Sequence, residues 1–182
     1  MSDWDLLEKE CYECVKCKLH QTRKNVVIER GNREADLMLI GEAPGANEDE
    51  LGKPFVGQAG KLLDMALYSM GIYEKDVYIC NIVKCRPPNN QNPTEEEAAS
   101  CISYLERQIS LVNPKVIVLL GSVALKYLIR SELSITKARG TWLAYNKIDV
   151  MPTFHPAALL RDESKKTMMW KDIKKAWIRA QE

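Results

Sequence analysis

The sequence predicts an α/β fold: a three-layer α/β/α sandwich around a central, mainly parallel, four-stranded sheet. Three observations carry this expectation. Apolar runs of strand length recur, at Leu37–Ile40, Val77–Val83 and Val116–Leu120. Between them, apolar residues fall at helical spacing, as in Leu62, Leu63, Ala66, Leu67 and Met70. Strands alternating with helices through most of a chain are the pattern of a sheet covered on both faces.

The 182 residues are read as one domain, 1–182, with no internal repeat and no low-complexity segment. Apolar residues make up 46% of the chain, enough for a core. The 26 basic and 25 acidic residues nearly cancel, which argues against a broad polycationic surface but leaves room for a local basic path. There is no apolar run near membrane-spanning length and no charged-then-apolar leader. A soluble, cytoplasmic protein without a membrane partner is expected. Six cysteines in such a chain point to metal or redox chemistry before disulfides.

In chain order, Trp4, Leu6 and Leu7 among charges predict a short amphipathic helix. Cys11-x-x-Cys14-x-x-Cys17 follows; this spacing lets two thiolates of one turn reach the same metal or cluster, with further ligands supplied from elsewhere. Val26–Ile28 predicts a short strand and Leu37–Ile40 the first central one. A long loop rich in glycine and carboxylate then runs from Gly41 to Gly57, and a helix over 61–70 stops at Gly71, a good residue just past a helix end. Asn81 closes the next apolar run, where it either caps a turn or binds something, since a buried amide must satisfy its hydrogen bonds. Lys84–Pro93 is a loop by composition. Thr94 with Glu97 is a capping box, opening a helix that carries Cys101. After Val116–Leu120, Gly121-Ser122 turns into a helix near 122–130. Ile135-Thr136 and Gly140–Trp142 fit a hairpin-like segment paired with Ile148–Met151. Pro152–Arg161 is a loop followed by a helix, and an amphipathic helix near Lys166–Arg179 closes the chain.

In open α/β sheets ligands bind beyond the carboxyl ends of strands, so Gly41–Gly57, Asn81–Pro88 and Phe154–Arg161 should converge on one site. Together their residues resemble the uracil-DNA glycosylase superfamily, and in particular its family 4, the iron–sulfur enzymes of thermophiles. The matching segments are GEAPG at 41–45, KPFVGQAG at 53–60, NIVKCRPP at 81–88, LLG at 119–121, SITKARGTW at 134–142 and FHPAALLR at 154–161. Each is weak alone; the ordered set covers nearly the whole chain.

The resemblance implies a glycosylase that flips uracil out of single- or double-stranded DNA and hydrolyses its N-glycosidic bond, leaving an abasic site for base excision repair. It implies a 4Fe–4S cluster on Cys14, Cys17, Cys85 and Cys101, pinning residues 1–24, with zinc the chemical alternative for four thiolates. Cys11 lies close enough to compete, and Cys80 reads as a small core residue. Phe55 would stack on the flat base, with core packing its plainer role. Asn81 would read the uracil edge. Gly41 and Ala43 would line the base, with loop amides adding donors. His155 would hydrogen-bond the developing uracil anion; its protonation state stays open, and His20 reads as solvated. Ala43 stands where the best-known superfamily members carry an aspartate, so the water's carboxylate falls to Glu42 first and Glu48 next, unless both are solvated loop acids. Leu159 or Leu160 would fill the gap left by the base, with Arg161, Lys165-Lys166, Arg86 and Ser122 as phosphate contacts. A monomer is expected, with a sliding clamp as a candidate partner. Two other classes are weighed: a uracil-DNA-binding protein with altered chemistry, and an iron–sulfur or zinc module for assembly or electron transfer.

Overall fold

Four parallel strands form the centre of the molecule: β2 (Leu37–Gly41), β3 (Val77–Asn81), β4 (Val116–Leu120) and β6 (Ile148–Thr153). The computed structural model describes all 182 residues. A two-residue edge strand, β1 (Arg30–Gly31), adds antiparallel to β3, and β5 (Leu143–Tyr145) adds antiparallel to β6. The sheet is therefore six-stranded, in the order β1-β3-β2-β4-β6-β5. The expected four strands are its parallel centre, and the two short edge strands are additions.

β2, β3 and β4 are buried along both faces, which is why each reads as a mainly apolar run, while β6 is buried only from Val150 onward. Met38, Ile40, Tyr78, Cys80, Ile117 and Leu119 face a core beneath α1 (Asp3–Tyr12), α4 (Glu95–Val112) and α5 (Ser122–Ile129). Leu37, Leu39, Val77, Ile79, Val116 and Val118 face the opposite core, beneath α3 (Gln58–Ser69) and α8 (Lys166–Ala180). The period-two alternation thus produces the third layer. The capping box of α4 is present, with Thr94 Oγ1 accepting from the Glu97 N–H and the Glu97 carboxylate accepting from the Thr94 N–H. No helix is long and apolar enough to cross a membrane.

Three local expectations are corrected. Val26–Ile28 is buried but lies outside the sheet ladder; the Val27 N–H donates to the Lys84 carbonyl at 2.7 Å, and pairing with β3 begins only at Arg30. The acidic cluster in the Gly41–Gly57 loop belongs to a short helix, α2 (Ala46–Leu51), whose first turn gains from the carboxylate of Glu48. Ile135–Thr136 is not part of a hairpin: Ser134 caps a helical turn, α6 (Ile135–Ala138). The hairpin instead joins β5 to β6 through Asn146 and Lys147, both at positive φ, which matches the strand twist.

The carboxyl ends of the central strands are level, with Gly41 beside Asn81 and Leu120 beside Thr153. β2 is followed by β3 on one side and β4 on the other, so the loops diverge there and leave a crevice. On the β6 side Asp172 of α8 braces this edge. It is 2% exposed, pairs with both arms of the Arg139 guanidinium and accepts from the Thr153 hydroxyl at 2.7 Å. Asp172→Ala strands that guanidinium and hydroxyl and is expected to cost about 3–5 kcal/mol. Urea denaturation is the check; a loss below about 1 kcal/mol would mean the pair is solvated in effect.

Candidate active site

The end of β2 is where the backbone must come closest. A Cβ on Gly41 would lie 2.4 Å from Phe55 Cζ and 2.6 Å from Asn81 Oδ1. Glycine there lets an aromatic ring and a side-chain amide meet over bare backbone.

Asn81, the last residue of β3, is 2% exposed, and its Oδ1 has no hydrogen-bond partner. It does not cap a turn. A buried orphan acceptor is costly unless a ligand satisfies it.

Phe55 holds a backbone φ of +54°, which side chains other than glycine rarely adopt. Its surroundings impose this. Arg30, 8% exposed, donates from Nε to the Pro54 carbonyl at 2.9 Å and from Nη2 to the Phe55 carbonyl at 3.2 Å. The same Nη2 is 2.8 Å from Asp64. Gly60 packs so tightly beneath that a Cβ would lie 1.9 Å from the Phe55 oxygen. On the other side Glu48 accepts from the N–H groups of Val56 and Gly57 at 2.9 and 2.7 Å, and from Gly45 at 3.1 Å.

His155 caps α7 (Pro156–Leu159) and stacks on Phe55, ring centres 5.6 Å apart. Its Nδ1 accepts the Ala157 N–H at 3.0 Å, so the ring's single proton sits on Nε2. Burial, with Arg161 adding to it, pushes its pKa down to about 4. The question left open by the sequence is answered: this imidazole is neutral near pH 7.

These groups line a pocket of about 280 Å³, whose wall includes Ala43, Glu48, Phe55, Asn81, Asn90 and His155. Glu42 adjoins it through Ala43 but is not part of the wall. Its half-buried carboxylate has no hydrogen bond or ion pair, and burial raises its pKa. Both oxygens of Glu48, by contrast, are held by backbone amides.

Of the two candidate wedge leucines, Leu159 is corrected: it is 3% exposed and packs into the core between α7 and the sheet, so it cannot reach DNA. Leu160 is 52% exposed. Arg161 is exposed beside it, whereas Lys165 and Lys166 lie over the rings of Phe154 and Trp170. Arg86 donates to Asn90 Oδ1 at 2.8 Å, on the rim of the pocket. Ser122 sits apart, at the start of α5, in a broad cleft shared with Lys126 and Arg130. Arg30, Lys84 and Asn90 were not singled out from the sequence. Lys84 had a signal, since it is a cation directly ending an apolar run, whereas Arg30 follows Glu29 and had none; both prove buried.

Cys14, Cys17, Cys85 and Cys101 line a second cavity, with Cys11 as a fifth thiol; Cys80 lies in the core away from it. All six are free. Burial raises the pKa of Cys11 to about 12 and of Cys101 to about 11. No three His, Cys, Asp or Glu side chains converge closely enough to hold a single metal ion.

Level strand ends with a crevice above them define an open α/β ligand-binding fold, and the model of the uracil DNA glycosylase superfamily matches residues 28–178, so the chain belongs to that family. Within it the chain groups with the type-4 enzymes. It is 47% identical to the type-4 uracil-DNA glycosylase of Thermotoga maritima over 178 residues, 94% of this chain and 92% of that one. It is 46% identical to the type-4 enzyme of Saccharolobus solfataricus over 184 residues, 96% and 85% of the two chains. Identity to the type-5 uracil-DNA glycosylase of Pyrobaculum aerophilum is 31% over 146 residues, 71% and 64% of the two chains.

The depressed His155 pKa has a signed consequence. Between its native value of about 4 and an unfolded value near 6.5, the unfolded chain binds a proton that the native chain refuses. His155 therefore lowers stability as pH falls through that window and has no such effect above it. Imidazole NMR should place its midpoint near 4. A midpoint near 6.5 would mean that the ring is neither held by Ala157 nor desolvated.

Proposed function

We propose that this chain flips uracil from DNA into the 280 Å³ pocket and hydrolyses its N-glycosidic bond, leaving an abasic site. The observation that carries the reading is the unpartnered Asn81 oxygen beside Phe55 and His155. Uracil presents an N–H next to a carbonyl. Asn81 accepts the first through Oδ1 and donates to the second through Nδ2. Cytosine presents the reverse pattern and would leave both buried amide groups unsatisfied, at about 1–3 kcal/mol each. That mismatch discriminates by orders of magnitude.

Phe55 supplies the stacking face. The His155 Nε2–H donates to the uracil oxygen on which charge gathers as the bond breaks. Glu42 positions the attacking water: its carboxylate is free of protein partners, and burial makes it a stronger base. Glu48 is tied up holding the Phe55 loop and positions rather than reacts. Leu160 fills the gap in the duplex, and Arg161, Arg86 and Ser122 contact phosphates. On this reading the chain acts as a monomer on DNA in the cytoplasm.

The cysteines fit an iron–sulfur cluster. A zinc ion needs its four sulfurs within about 2.3 Å of one point, and no three of these side chains converge on a single ion; a cubane cluster instead takes one thiolate on each of four irons. Cys14, Cys17, Cys85 and Cys101 would hold it, supplying a covalent staple between the N-terminal segment, the Arg86 loop and α4. On this reading residues 1–182 act as one glycosylase domain, with residues 1–24 pinned by the cluster.

Uracil release from a labelled oligonucleotide tests the proposal. Wild type should cut, His155→Ala should lose about 10²–10³ in kcat, and Glu42→Gln should fall by orders of magnitude with binding retained. A wild-type protein that binds uracil-DNA but releases nothing would make this a binding protein. Full activity in Glu42→Gln would move the water to another carboxylate.

A further inference from the structure

Lys84 is an anomaly in both sites. It is 2% exposed, yet no carboxylate pairs with it. Its Nζ has one acceptor, the Asn81 carbonyl at 2.6 Å. Its backbone N–H points at the Cys101 sulfur, and its carbonyl accepts from the Val27 N–H at 2.7 Å. Its side chain also lines the cysteine cavity. An ammonium has three hydrogens, and burying it without a counter-charge is costly.

The cavity holds an excess of cations. Lys16, Arg23 and Lys84 line it against the single carboxylate of Glu97. Arg23 Nη1 donates to Cys85 Sγ at 3.3 Å and to the Cys14 carbonyl at 2.8 Å. Such a lining suits an anionic occupant, and an iron–sulfur core held by four thiolates carries net negative charge.

We propose that Lys84 couples the two sites: its ammonium is the counter-ion of the group in the cysteine cavity and, through the Asn81 carbonyl, the tether that sets the base-reading amide. Lys84 is a positioning residue, acting on uracil only through Asn81. The inference rests on the iron–sulfur reading above. An occupied cavity draws the ammonium to a fixed place, and the Asn81 peptide is fixed with it. An emptied cavity leaves the ammonium without its counter-charge, and Asn81 loses its register with the base.

The test compares wild type, Lys84→Met and Lys84→Arg, all purified without oxygen. The readouts are the iron-to-protein ratio, the rate of iron release to a chelator, and kcat and KM for uracil release per bound iron. Lys84→Met should release iron about tenfold faster and lose at least about tenfold in kcat/KM, the usual range for a residue behind a ligand shell. Lys84→Arg keeps the charge but not the single short donor, so it should retain iron while uracil release stays impaired. Thermal melting identifies a variant that has not folded; if Lys84→Met is one, the split between retention and excision in Lys84→Arg decides. Unchanged iron release and excision in folded Lys84→Met overturn the coupling, as does wild-type behaviour of Lys84→Arg in both readouts. Wild-type protein without iron overturns the cofactor reading, and the inference with it, before any variant is compared. Iron-loaded wild type that releases no uracil overturns the glycosylase reading instead.

Discussion

The pairing of β2 with β3 places Gly41 beside Asn81, and nearly every other feature of the site depends on that register. A slip of one residue would turn Asn81 out of the crevice and set a side chain against the Phe55 ring. The ladder also runs on past the strand ends. Ile82 N–H donates to the Gly41 carbonyl at 2.9 Å and Val83 N–H to that of Glu42 at 3.2 Å. The chain is thus carried in a fixed path from Asn81 to Lys84 and Cys85. The pocket at Asn81 and the cysteine cavity at Cys85 are successive stations on one strand extension, and Lys84, which lines the cavity, reaches the pocket side only through the Asn81 carbonyl.

The second requirement is a stacking face that holds still. Phe55 at positive φ costs about 1–2 kcal/mol relative to a relaxed backbone. Arg30 and Glu48 offset that cost from opposite sides, one taking carbonyls and the other amides. Gly60 beneath the Phe55 backbone and Gly41 against its ring leave out the two Cβ atoms that would block the arrangement. Strain of this kind persists where the surroundings over-determine it, and on the proposed reading it presents the ring ready-placed to a flipped base.

Much of this was legible beforehand, for physical reasons. Strands buried on both faces announce themselves as apolar runs, so β2, β3 and β4 could be read directly, whereas β6 starts half-exposed at Ile148-Asp149 and reads from sequence only as one arm of a hairpin. Edge strands of two or three residues, such as β1 and β5, carry too little pattern to see. Ile135–Ala138 misled because β-branched Ile135 and Thr136 favour strands, while the Ser134 cap decides for a helical turn. Asn81 stood out as an amide in an apolar strand, but its missing partner is a fact of three dimensions. Leu159 and Leu160 are indistinguishable by composition; helix phase alone sends one into the core and the other to solvent. Arg30 was harder still, because its role is to hold carbonyls 24 and 25 residues away.

The state of His155 follows from its neighbours rather than its type. With Nδ1 engaged by the Ala157 amide, the ring can only donate, through Nε2. On the proposed reading this neutral donor gains little from a neutral base oxygen and more as that oxygen becomes anionic, so its contribution grows toward the transition state. Arg161 adds to this from the same loop. Its charge helps keep the imidazole unprotonated, and on the proposed reading the same positive field favours the departing uracil anion. On that reading one cation would serve both the resting state of the histidine and the charge that forms during bond cleavage, with no proton having to move onto the ring.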